Sequence, residues 1–154
     1  MQLVQSDNYQ VATEYVKHLG VEVVGNLINI AIEARRQSYS PYSKFKVGAA
    51  VLGSDGMTYK GCNIENASYG LTNCAERSAI FNAVSHGCHK FVAIAVVADT
   101  DGPCSPCGAC RQVIAEFKIP YIVMGNLNGE YTVVTLRELL PYSFESADIK
   151  TEPV

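Results

Sequence analysis

The sequence predicts one α/β layered domain built on a mixed five-stranded sheet, and three observations carry that prediction. Segments with apolar residues at helical spacing alternate with short strand-like runs in the order α-β-β-α-β-α-β-β. One of those runs, Phe91-Val92-Ala93-Ile94-Ala95-Val96-Val97, is continuously apolar, as a strand buried on both faces requires. The linker from Gly125 to Glu130 is too short for the crossover of roughly a dozen residues that parallel neighbours need, so the last two strands must run antiparallel.

Taken in order, residues 6 to 20 read as a short helix with Ser6-Asp7 as its N-cap, Val11, Ala12, Tyr15, Val16 and Leu19 on one side, and Gly20 as its stop. Val21, Val24, Leu27, Ile28, Ile30, Ala31 and Ala34 give the next helix a broad apolar face before Arg35-Arg36, and Pro41 ends that segment. Phe45 to Val51 and Thr58 to Ile64 are two strands joined by the turn Ser54-Asp55-Gly56. Cys74 to Val84 has helical spacing, turns Ala75, Ile80, Ala83 and Val84 toward the sheet, and stops at Gly87. The apolar run 91 to 97 is the central strand. Arg111 to Phe117 is a helix, and Pro120 separates it from the strand Tyr121 to Met124. Residues 131 to 134 complete the sheet after the tight-turn dipeptide Asn128-Gly129.

The length of 154 residues suits a single domain with an ordinary core. Charged residues make up 18%, hydrophobic residues 48%, and the net charge is -3. That balance argues against disorder and against a basic nucleic-acid footprint, and points to a small-molecule substrate. The first residues lack a secretory leader and no apolar run reaches membrane-spanning length, so a cytoplasmic protein is expected. Six cysteines, clustered at 104, 107 and 110, then read as reduced thiols and metal ligands rather than disulfides.

The chemistry is concentrated in Cys74-Ala75-Glu76-Arg77 and Pro106-Cys107-Gly108-Ala109-Cys110-Arg111-Gln112, which together offer three thiolates and one free carboxylate. A structural zinc site closes its shell with four protein ligands, whereas a catalytic one keeps three and an open position. Cys74, Cys107 and Cys110 each fall at a helix start, where the dipole and free N–H groups favour thiolate. Cys104-Ser105-Pro106-Cys107 is a second Cys-x-x-Cys, so spacing alone permits either pair. The later pair is preferred because it places Pro106 before the ligands and the adaptable Gly108 between them. Three thiolates around a divalent zinc leave a formal charge of -1, and Arg77 and Arg111 are the available cations, either able to hydrogen-bond a cysteine sulfur. Glu76, two residues beyond Cys74, stands where a proton shuttle belongs.

Simpler readings exist for each residue. Cys62 and Cys88 lack a partner motif and read as small buried residues. A structural zinc knot would recruit Cys104 or a histidine, but His18, His86 and His89 lie outside the motifs. A Cys-x-x-Cys redox protein would make Glu76 dispensable. Phe45 and Tyr69 taken alone are ordinary core aromatics. Asn63 and Glu65 share one strand face by the period-two rule, equally compatible with recognition and with a solvated edge.

The two metal motifs, with thirty-three positions between Cys74 and Cys107, resemble those of the zinc-dependent cytidine deaminases, specifically the small homotetrameric kind with three cysteine ligands. The resemblance extends through Tyr42-Ser43-Lys44-Phe45-Lys46-Val47-Gly48-Ala49-Ala50, Gly61-Cys62-Asn63-Ile64-Glu65-Asn66-Ala67 and Glu138-Leu139-Leu140-Pro141-Tyr142-Ser143-Phe144. It implies a three-layer α/β/α fold over residues 21–147, with 1–20 as an N-terminal extension and 148–154 as a tail. It also implies hydrolytic deamination of cytidine and deoxycytidine in pyrimidine salvage, with zinc-bound hydroxide attacking C4 and Glu76 shuttling the proton. By the same resemblance Asn63 and Glu65 hydrogen-bond the ribose 3′-hydroxyl, Phe45 packs on the base, and the Ala75 N–H contacts the pyrimidine carbonyl. The resemblance further implies that Tyr69 and Phe144 complete a neighbouring subunit's pocket in a homotetramer with shared active sites. A deaminase of another cytosine-containing molecule, such as blasticidin S, shares the metal motifs, while Phe45 and Asn63 to Asn66 argue for the nucleoside. A polynucleotide deaminase is disfavoured by the acidic balance and by the short 125–130 connection.

Overall fold

The computed structural model describes residues 9–149. Helices α1 (Tyr9–Leu19) and α2 (Val21–Arg35) are separated by Gly20, whose φ of 88° ends the first and redirects the chain into the second. The expected N-cap at Ser6-Asp7 lies outside the described residues. In α2, Val24, Leu27, Ala31 and Ala34 recur at three and four residues and are buried, which is the predicted apolar face. That helix ends at Arg35, well before Pro41, because Arg36, Gln37 and Ser38 turn back onto the carbonyls of Glu33, Ala34 and Arg35.

Strands β1 (Val47–Gly53), β2 (Thr58–Cys62), β3 (Phe91–Ala98), β4 (Tyr121–Asn126) and β5 (Tyr131–Thr135) form a single sheet in the order β2-β1-β3-β4-β5. β3 is central, as its uninterrupted apolar run predicts. It pairs antiparallel with β1 and parallel with β4, and β4 pairs antiparallel with β5. β1 begins two residues later than expected, because the Phe45 carbonyl is taken by the Asn63 side chain and the Lys46 carbonyl by Arg35 Nε instead of by a neighbouring strand. β2 stops at Cys62, and Ile64 instead bridges Tyr39 and Asn73.

Helices α3 (Ala75–Ser85) and α4 (Gly108–Glu116) cover one face of the sheet, and α1 and α2 cover the other. Two apolar layers result. Ala79, Ile80, Ala83, Ile94, Ile114 and Ile122 fill the first; Leu27, Ala31, Ala95, Val97 and Val123 fill the second. Of the four residues expected to face the sheet from α3, Ala75, Ile80 and Ala83 are fully buried and Val84 is half-buried. Unexpected from the sequence reading is α5 (Leu136–Leu139), opened by a capping box in which Thr135 and Glu138 satisfy each other's backbone N–H groups.

The first layer is drawn tight by a missing side chain. Gly61 pairs with Ala49 and faces α3, where a Cβ would stand 2.2 Å from the Ala79 nitrogen and 2.7 Å from the Ala75 carbonyl oxygen. Backbone cannot yield as a side-chain tip can, so Gly61→Ala is expected to destabilise the fold by roughly 1–3 kcal/mol. Gly25, inside α2, has nothing within 4 Å of the corresponding position, and Gly25→Ala should stabilise by about 0.5–1 kcal/mol. Thermal melts of the two variants should therefore move in opposite directions.

Candidate active site

The start of α3 faces the start of α4. Cys74 is the N-cap of α3 and Cys107 the N-cap of α4, both with extended backbone and neither using its side chain to cap its own helix. Their sulfurs are free to face each other and stand 3.8 Å apart. Cys110 lies in the first turn of α4, three residues beyond Cys107 and on the same side of the helix. The three Sγ atoms all lie within 4.8 Å of one another. Cys104 is not a member of this cluster, nor is any histidine or carboxylate among the described residues. Burial pushes the Cys104 thiol up to about 11, so it stays protonated.

Charge is distributed unevenly over the three sulfurs. Hydrogen bonds from the Cys110 thiol, the Arg77 guanidinium and the Cys107 thiol outweigh desolvation and bring Cys74 down to about 5. Cys110, which gives that hydrogen bond and is buried beside the resulting thiolate, is pushed far up. Sulfurs this close hold their remaining protons only by sharing them, and two helix dipoles favour their loss. A borderline-soft divalent cation with tetrahedral habits fits this donor set, which supplies three cysteine sulfurs and, among the described residues, no fourth protein ligand.

Glu76 is the second residue of α3 and only 4% exposed. Burial first, and the neighbouring Cys74 charge second, push its carboxyl up to about 7. Such a group can both accept and return a proton near neutrality. It stands beside the cluster without belonging to it.

Of the two candidate counter-cations, the geometry separates one from the other. The Arg77 Nη2 donates to Cys74 Sγ at 3.3 Å and to the Thr72 carbonyl oxygen at 3.5 Å. Arg111 corrects the expectation that it hydrogen-bonds a cysteine sulfur. Its three hydrogen bonds go to the Pro106 carbonyl (3.0 Å), the Leu139 carbonyl (3.0 Å) and Ser105 Oγ (2.8 Å). One helical step from Cys110 turns the side chain by about 100°, away from the sulfurs, whereas three steps from Cys74 keep Arg77 on the sulfur side.

The remaining predicted residues form a second group, linked to the first through Ile64, which exchanges backbone hydrogen bonds with Asn73 just before Cys74. Asn63 is buried; its Oδ1 accepts from Ser38 Oγ and the Val47 N–H, and its Nδ2 donates to the Phe45 carbonyl. Glu65 accepts from the N–H groups of Tyr42 and Ser43 and from Ser43 Oγ, and the Ser43 hydroxyl is the main cause that lowers its pKa. Both residues therefore anchor the 38–47 segment, in which Phe45 is 43% exposed. Ala75 is buried at the first turn of α3. Tyr69, 73% exposed, lies against Tyr42 with ring centroids 5.7 Å apart, and Phe144, 60% exposed, has its carbonyl held by Gln112 Nε2 at 2.8 Å. The sequence reading missed Ser38, Ser43, Ser105 and Gln112. Ser43 sits between Pro41 and the positive-φ Lys44, a turn signal that could have drawn attention to it.

Residues 22–126 match a family model described as the cytidine and deoxycytidylate deaminase zinc-binding region. A cytidine deaminase from Sporosarcina psychrophila is 56% identical over 129 residues, covering 82% of this chain and 94% of its own. One from Halalkalibacterium halodurans is 56% identical over 125 residues, covering 80% and 95%. The crystal structure of a cytidine deaminase from Burkholderia pseudomallei superposes with a TM-score of 0.76 at 51% identity, covering 78% of this chain and 98% of that one.

Proposed function

The chain belongs to the cytidine and deoxycytidylate deaminase family, hydrolases acting on cyclic amidines, and on that premise we propose that it converts cytidine and deoxycytidine to uridine and deoxyuridine with release of ammonia. The observation that carries this reading is the three-sulfur cluster, lacking a fourth protein ligand among the described residues, beside a buried carboxyl held near neutrality. Cys74, Cys107 and Cys110 would hold zinc, which when bound lowers the pKa of water and so supplies a nucleophile at neutral pH.

Every other part is played by this chain's residues. Glu76 takes a proton from the attacking water, gives one to N3, and then passes one to the amine leaving C4, so that one water is consumed and one ammonia released. The Ala75 N–H, at the start of α3 where backbone donors have no intrahelical acceptor, holds the pyrimidine carbonyl. Phe45 packs on the base. Glu65 and the second amide hydrogen of Asn63 hold the ribose 3′-hydroxyl. Tyr69 and Phe144, apolar and outward-facing, complete the pocket of a neighbouring subunit in a homotetramer. A place in pyrimidine salvage in the cytoplasm accords with the unpaired state of all six cysteines and with the lack, among the described residues, of any helix long and apolar enough to cross a membrane.

Arg77 offsets the surplus negative charge of three thiolates. Arg77→Ala is expected to weaken zinc binding about 10–100-fold and to lower turnover with it, measured by competition with a chromophoric chelator. An unchanged zinc affinity would remove the role. Ultraviolet-monitored turnover of cytidine and deoxycytidine by the zinc-loaded protein, run beside blasticidin S, tests the substrate assignment. Loss of absorbance with both nucleosides supports it. Turnover of the antibiotic alone overturns it.

A further inference from the structure

Two adjacent residues of α4 reach across to the C-terminal part of the chain. Arg111 grips the Leu139 carbonyl, which ends α5, and at the same time the Pro106 carbonyl and the Ser105 hydroxyl, which lead into Cys107. Gln112 donates to the Phe144 carbonyl, thirty-two residues away in sequence. Between Pro141 and Glu145 this arm makes no other hydrogen bond to the body of the domain among the described residues. Tyr142 is fully exposed within it, with a positive φ of 58°. The helix that carries Cys107 and Cys110 therefore also carries the two groups that fix the approach to Cys107 and the course of the Phe144 arm.

We propose that Arg111 and Gln112 are positioning residues that tie the metal loop and the Phe144 arm to one helix, so that the helix carrying a subunit's own Cys107 also sets how that subunit presents Phe144 to its neighbour. The significance for substrate rests on the deaminase reading above; the tether itself does not. Arg111 acts through the peptide before Cys107. A planar guanidinium can serve two carbonyls and a hydroxyl at once, and a lysine ammonium on a flexible stem cannot hold that geometry. Gln112 acts through the Phe144 carbonyl alone, so its loss should free the arm and leave the sulfurs in place. The two residues thus have separable effects: Arg111 on the metal, Gln112 on the aromatic.

The test uses Arg111→Lys and Gln112→Ala in the full chain, with three readouts. These are zinc affinity by chelator competition, the rate of chymotryptic cleavage after Tyr142 and Phe144 followed by mass spectrometry, and kcat and KM for cytidine. Gln112→Ala should leave zinc affinity and kcat unchanged, raise the cleavage rate about fivefold, and raise KM about fivefold, the scale of one neutral hydrogen bond. Gln112→Glu, which keeps the shape and loses the donor, should behave the same way. Arg111→Lys should weaken zinc binding about tenfold or more. Cleavage and zinc affinity indistinguishable from the parent in all three variants would overturn the proposal. A parent that fails to deaminate cytidine, with cleavage still faster in Gln112→Ala, would remove the substrate reading and leave the tether standing.

Discussion

Replacing Glu76 by glutamine is expected to lower kcat for cytidine by about 10²–10⁴-fold while leaving one zinc per chain in place. The amide keeps the shape of the carboxyl and fills the same buried position, so folding is not the reason for the loss. What disappears is the ability to take a proton from water and return it to the base. The structure makes this side chain suited to the task through its surroundings. Burial in the first turn of α3 brings the carboxyl to about 7, and the charge of Cys74 adds to the effect. Equal rates for parent and variant, measured by ultraviolet absorbance with metal content checked by elemental analysis, would remove Glu76 from the reaction.

The second large effect concerns the sulfurs. Cys107→Ser should abolish stoichiometric zinc binding and, with it, turnover, because only two thiolates remain where three lie within 4.8 Å of one another. Cys104→Ser should keep both. Cys104 lies outside the cluster with its thiol held protonated, and its backbone N–H, donated to the Gly125 carbonyl, is untouched by the change. Purification of the two variants in parallel, with zinc counted per chain, separates the two Cys-x-x-Cys registers. Zinc retained in Cys107→Ser and lost in Cys104→Ser would reverse the ligand assignment.

Much of this could be read from the sequence because its signals were periodic or local. The apolar run of β3 and the short connection between β4 and β5 fixed the sheet's centre and the sense of its last pairing, and both agree with the observed register. The cluster of Cys74, Cys107 and Cys110 was legible from spacing together with the tendency of helix starts to favour thiolate. Arg77 and Arg111 looked equivalent as neighbours of ligand positions, and only the helical angle between residues one and three steps apart distinguishes them. The anchoring role of Asn63 was hidden for a different reason. Its amide bonds to Phe45 and Val47, residues sixteen to eighteen positions away, and no local pattern announces such a contact. The capping box at Thr135 and Glu138 was visible in the residues and marks the helix α5 that the periodicity of so short a segment could not.

The central claim is that the three cysteines make an open metal site, and zinc K-edge X-ray absorption on the zinc-loaded protein tests it most directly. Three sulfur scatterers at about 2.3 Å and one oxygen or nitrogen at about 2.0 Å are expected. A shell of four sulfurs would contradict it, for then Cys104 would close the site and leave no position for water.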